Sequence, residues 1–83
     1  MITVLLFAHP RELLNGLSFI SLSLSADAFL SDARVALTAS YPILAAVIPS
    51  CAFAVGDDLI ARDVEDSTLC GIEIALIPPV SGG

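Results

Sequence analysis

Two short apolar stretches constrain this chain most: ITVLLFA at residues 2–8 and IEIALI at residues 72–77. Both are rich in strand formers and contain no breaker, so each reads as a buried strand. Strands with this much apolar surface belong at the centre of a sheet, covered on at least one face. They stand near opposite ends of an 83-residue sequence that has room for one domain and a limited core. The chain must therefore close on itself, with its first and last strands side by side.

The segments between them fill in the layers. From Ile20 the stretch Leu17–Ser25 alternates cleanly, with Ile20, Leu22 and Leu24 on one face and Ser21, Ser23 and Ser25 on the other. That is a strand with one wet face. Asn15-Gly16 is the strongest short turn signal, and it predicts a hairpin between the first two strands. Leu30, Ala33, Leu37 and Tyr41 recur at helical spacing, so the reading places an amphipathic helix within 27–40, capped by Asp27 or Ser31 and stopped by Pro42. Ala52–Val55 reads as a strand, Gly56-Asp57-Asp58 as its turn and Leu59-Ile60 as a short return strand; Arg62–Thr68 reads as a polar surface loop. In the last strand Ile72, Ile74 and Leu76 share a face. The expected architecture is α+β: a mixed sheet of four to five strands packed against one main helix. Residues 1–77 form the domain and 78–83 a flexible tail.

Charge and motif content remove many functions. The net charge is −6, with Arg11, Arg34 and Arg62 as the only cations and no lysine. Binding through a phosphate backbone or an anionic membrane surface is not expected. No apolar run is long enough to span a bilayer and no basic, apolar leader opens the chain, so the expected location is cytoplasmic. Cys51 and Cys70 lack metal-ligand spacing and read as buried free thiols, with a disulfide as the alternative. His9 reads as a surface residue. Asp57-Asp58 and Glu65-Asp66 read as solvated turn acids. No GxSxG, GxGxxG or P-loop is present, so the chain alone is expected to be non-catalytic, with no bound cofactor and no metal.

The sequence closes on IPPVSGG. Pro78 and Pro79 end sheet pairing and stiffen the exit. Val80 offers an apolar handle. Ser81, Gly82 and Gly83 then remove bulk, and a tip without Cβ atoms can thread a narrow channel. A carboxylate at Gly83 is a poor electrophile, whereas an acyl adenylate is a good one. Such a tail is shaped for activation in another protein's active site.

VLLFA, the helix ending in SYP, FAVGDD and EIALIPPVSGG together resemble the family of molybdopterin synthase small subunits, over nearly the whole chain. The resemblance implies a ubiquitin-like β-grasp fold. It implies that Gly83 is adenylated by an ATP- and Mg-using, ubiquitin-activating-like adenylyltransferase/sulfurtransferase, passing through a transient acyl adenylate to a thiocarboxylate. The tail, with Gly82, Ser81, Val80 and Pro79 in support, would insert into the synthase large subunit within a heterotetramer. There it would deliver sulfur to cyclic pyranopterin monophosphate in molybdenum cofactor biosynthesis. Phe7, Ile77 and Pro79 would contribute to docking. Three places depart from the family pattern: Val55-Gly56-Asp57, Gly71-Ile72-Glu73, and Phe29-Leu30 at the helix start. The alternatives are a carrier for thiamine, tRNA thiolation or cysteine chemistry, or a ubiquitin-like protein modifier; without lysine, the chain cannot build lysine-linked polymers of itself.

Overall fold

A computed structural model describes residues 1–79. The two apolar stretches become β1 (Ile2–Leu6) and β5 (Glu73–Ile77), which pair in parallel at the centre of a five-stranded sheet. β2 (Phe19–Leu22) lies antiparallel to β1, and β3 (Ala52–Val55) antiparallel to β5. β4 (Asp58–Ile60) closes the far edge, giving the order β2-β1-β5-β3-β4. The mixed sheet expected from the sequence is thus present, with five strands.

One face of β1, β2, β3 and β5 is dry. Ile2, Val4 and Leu6 of β1 pack with Ile74 and Leu76 of β5, Ile20 and Leu22 of β2, and Phe53 of β3. α2 (Leu30–Ser40) covers this face through Leu30, Ala33 and Leu37, the helical stripe read from the sequence. Its start differs from expectation. Neither Asp27 nor Ser31 caps it; the Phe29 N–H donates instead to Asp32 Oδ2, 3.1 Å away. A carboxylate in the first turn satisfies an orphan donor and favours the positive end of the helix dipole. Tyr41 and Pro42 stop the helix, and two 3-10 turns, Pro42–Leu44 and Ile48–Ser50, carry the chain to β3. Gly56 takes φ +61° at the first central position of the two-residue β3–β4 turn, where a side chain would be strained.

Two sequence expectations are corrected here. The β1–β2 connection is not a tight hairpin; it contains a short helix, α1 (Ala8–Leu13). Pro10 falls in the first turn of α1, where the missing N–H costs nothing. Asn15-Gly16 ends this helix: the Gly16 N–H reaches Arg11 O at 2.9 Å and the Asn15 N–H reaches Glu12 O at 3.1 Å. That is a Schellman stop, which needs the same positive φ as a hairpin turn. The second correction is Ile72, which is 77% exposed. Gly71 turns the chain with φ +68°, and β5 begins only at Glu73.

Ala8 takes φ +51° although it carries a side chain. This left-handed conformation costs an L residue roughly 1–2 kcal/mol. Ala8→Gly is therefore expected to stabilise the fold by about 0.5–1 kcal/mol, once the greater chain entropy of glycine offsets part of the gain. The urea midpoint would rise without a change in slope.

Cys51 and Cys70 are buried free thiols rather than a disulfide. Burial pushes both pKa values above the ordinary 9.0; Arg34 and Arg62 pull Cys51 partly back, while Asp32 adds to the rise at Cys70. The folded chain thus holds these protons more tightly than the unfolded chain. The resulting stability is complete below the unfolded pKa and is lost as pH rises through the folded values. Unfolding free energy should fall above about pH 9, and a Cys51→Ala/Cys70→Ala chain should show a flatter alkaline limb in urea titrations.

Candidate functional site

Among the described residues, the three expected to dock, Phe7, Ile77 and Pro79, gather at one pole of the sheet. β1 and β5 run in parallel with Leu6 opposite Leu76, so Phe7 and Ile77 follow at the same end. Phe7 is 46% exposed, Ile77 is half-buried, and Pro79 is exposed. β3 begins there too, since Ala52 pairs with Ile77. A central strand flanked by β1 and β3 therefore delivers Pro78 and Pro79 from a fixed point. Val80, Ser81, Gly82 and Gly83 lie outside the described residues.

The outer face of the sheet leads up to this pole. Leu59, Ala54, Ala75, Leu5 and Phe19 stand in register across all five strands. Leu59 and Phe19 at the two ends are 67% and 56% exposed, and the small Ala54 and Ala75 leave the middle shallow. α2 lies on the opposite face, so among the described residues no element covers this row.

Exposed acids lie at both poles, whereas the exposed arginines lie at one. Asp57 and Asp58 at the β3–β4 turn, Glu73 at the start of β5 and Asp27 beside Gly71 are all exposed at the end away from the tail. No arginine lies there. Arg11 in α1 and Arg62 after β4 are at the tail end, and both are exposed. Arg11 Nε donates to Gly16 O at 3.2 Å, and Arg62 reaches the carbonyl of Pro49. Both arginines thus lie at the end where the described chain leaves the sheet, each next to an exposed acid, Glu12 and Asp63.

Arg34 ties this pole together from inside. Its Nε donates to Glu65 Oε1 at 2.9 Å and one terminal nitrogen to Glu65 Oε2 at 2.5 Å. The remaining donors reach Ile48 O at 2.6 Å and Cys51 O at 3.0 Å, while the guanidinium lies 4.8 Å from the Phe53 ring centroid. The Arg62 Nε adds a second cation, 3.7 Å from Glu65. This corrects the reading of Arg62–Thr68 as a solvated loop: Arg62–Ser67 is a 3-10 helix, and Glu65 is 3% exposed. Asp66 is exposed, as expected. A planar guanidinium that meets a carboxylate edge-on while serving two carbonyls fixes the approach to β3, and with it the partner strand of Ile77.

The remaining candidates stay peripheral. His9 is exposed, 4.0 Å from Glu12, and Asp57 and Asp58 are exposed turn acids. Among the described residues no helix is long and apolar enough to cross a membrane, and no group of His, Cys, Asp and Glu is arranged to hold a metal.

Comparison with known proteins places this geometry in context. The ThiS family profile matches residues 4–83. A molybdopterin synthase sulfur carrier subunit from Chlamydomonas reinhardtii is 33% identical over 82 residues, covering 99% of this chain and 98% of the relative. Among solved structures, SAMP1 from Haloferax volcanii superposes with a TM-score of 0.72 at 29% identity, over 99% of this chain and 98% of that one. The five-stranded mixed sheet with its single long helix is the ubiquitin-like β-grasp.

Proposed function

This chain belongs to the ThiS family, and on that premise we propose that it is the sulfur carrier subunit of a molybdopterin synthase. The observation that carries the reading is the full-length likeness to a sulfur carrier subunit of that enzyme. The geometry supports it. A five-stranded sheet carries Pro78 and Pro79 out from its central strand.

In this reading Gly83 supplies a carboxylate to an adenylating partner. ATP converts it to an acyl adenylate with loss of pyrophosphate. Sulfur from a donor then displaces AMP, which leaves a thiocarboxylate. The loaded tail enters the synthase large subunit, where two such deliveries turn cyclic pyranopterin monophosphate into a dithiolene. Gly82, Ser81 and Val80 keep the tail narrow. Phe7, Ile77 and Pro79 form the apolar collar that seats against the partner. The carrier itself contributes no proton transfer and binds no cofactor.

The test is intact mass after incubation with a matching activating enzyme, Mg-ATP and a sulfur donor. The expected product is heavier by the exchange of one oxygen for one sulfur, and fragmentation places the change at Gly83. Adding the large subunit and the pterin precursor should discharge it. Loading without discharge would point to a carrier for another pathway. No loading with an enzyme active on its own carrier would refute the proposal.

A replacement at the collar gives a graded check. Phe7→Ala is expected to weaken binding to the large subunit by about 1–3 kcal/mol, as for a half-exposed aromatic anchor. Its fold should be retained, because the core does not use this ring. Titration calorimetry with the large subunit reads the difference.

A further inference from the structure

The two edges of the sheet are treated very differently by the sequence. β4 is three residues long, begins with Asp58 and follows Gly56-Asp57, so charge and a tight turn blunt it. β2 has none of these devices. The stretch from Leu13 to Ala26 contains no charged residue and no proline in a chain of net charge −6. Proteins usually guard an edge with charge, proline, a bulge or a cover, because its free backbone groups will pair with another strand.

The direction of those free groups follows from the register. Leu6 N donates to Ser18 O at 2.9 Å, and β1 and β2 are antiparallel with Val4 opposite Ile20 and Ile2 opposite Leu22. Hydrogen-bonded pairs alternate along such a ladder. Ser18, Ile20 and Leu22 therefore aim their backbone groups at β1, and Phe19 and Ser21 aim theirs outward. Both residues are exposed, and among the described residues nothing pairs with them.

We propose that the β2 edge is a self-pairing surface, on which a second copy of this chain adds its own β2 antiparallel across a two-fold axis at Ile20. In that register Phe19 of each copy lies opposite Ser21 of the other. All four outward groups of each edge are then bonded, and the two sheets join into one of ten strands. A two-fold axis makes the contact self-complementary and closed. The charge pattern favours a copy in this orientation. The uncharged edge is where two acidic molecules approach with least repulsion. Antiparallel pairing also carries the Arg11 end of each edge, anchored on Gly16 O, toward the Asp27 end of the other, and keeps the two Asp27 side chains apart. The tail pole stays free, because β5 is central. The contact is small, so the dimer is weak and concentration-dependent.

The test is sedimentation velocity across about 10 µM to about 1 mM, with amide exchange followed by NMR at both ends of the range. Mass should climb from 8.6 kDa toward twice that value. The Phe19 and Ser21 amides should exchange about tenfold more slowly at the high concentration, while those of Ile20 and Leu22, already bonded to β1, should change little. Ser21→Pro removes an outward donor without breaking the β1–β2 ladder, and it should return the chain to monomer with its circular dichroism intact. A monomer at every concentration overturns the proposal. So does a dimer that leaves the Phe19 and Ser21 amides unprotected or that survives Ser21→Pro, since either places the contact elsewhere. Should Ser21→Pro fail to fold, the amide exchange of the unaltered chain decides.

Discussion

A chain lacking Gly83 is expected to keep its fold and lose sulfur loading completely. The two halves of that expectation come from different parts of the molecule. The buried core residues all lie between Ile2 and Leu76. Removing the last residue should therefore change unfolding free energy by no more than about 0.5 kcal/mol. The proposed chemistry, in contrast, needs a carboxylate on an unhindered glycine. Truncation moves the carboxylate to Gly82, one residue short, and a displacement of that size removes the attack geometry that positioning supplies. No side chain elsewhere on the domain can stand in for it. Loading, read by intact mass, and pterin thiolation, read with the large subunit present, should both vanish. Asp57→Asn, at the opposite pole, should load normally. Thiolation that persists without Gly83 would remove the carrier reading and leave the fold intact as an observation.

The legible parts of this structure are those that repeat locally. Period-two alternation at Ile20, Leu22 and Leu24, and period-3.6 spacing at Leu30, Ala33 and Leu37, both report a dry face directly, and the structure buries or half-buries each of these residues. The central pairing of β1 and β5 followed from their apolar content alone. The failures have distinct physical causes. Asn15-Gly16 announces a positive φ, but a hairpin and a Schellman stop share that requirement, so α1 was missed. Ile72 continued the alternation of β5 in sequence, yet Gly71 ended its register. Glu65 carried no local mark. Its partner stands 31 residues away on the inner flank of α2, and only the tertiary fold brings the two together. The reading of the tail rests on residue type alone, and Val80, Ser81, Gly82 and Gly83 lie outside the described residues.

That buried pair sets the largest expected effect on stability. Arg34→Leu should destabilise the domain by about 3–5 kcal/mol, the range for removing one partner of a buried ion pair. The arginine is 14% exposed at its side chain and the glutamate 4%. Leucine would strand the Glu65 carboxylate and withdraw the donors now held by the Ile48 and Cys51 carbonyls. Arg62, 3.7 Å from Glu65 and half exposed, can relieve only part of the loss. A domain of this size has only about 4–12 kcal/mol in total, so urea unfolding should show a midpoint near half its original value. Glu65→Gln should cost less, because the amide oxygen still accepts one of the two guanidinium hydrogen bonds, while the charge and the second acceptor are lost. The double change Arg34→Met/Glu65→Leu should recover part of the single-site loss, since no charge then remains buried. A double-mutant cycle with strong coupling between the two positions is the expected outcome. Additive, sub-kilocalorie effects would mean that the pair is not formed. Because Arg34 holds the carbonyl just before Ala52, the strand partner of Ile77, its loss should also loosen the last pairing before the tail. Amide protection at Ala52 and Ile77 should then fall before protection at Val4 and Ile74, which lie deeper in the sheet.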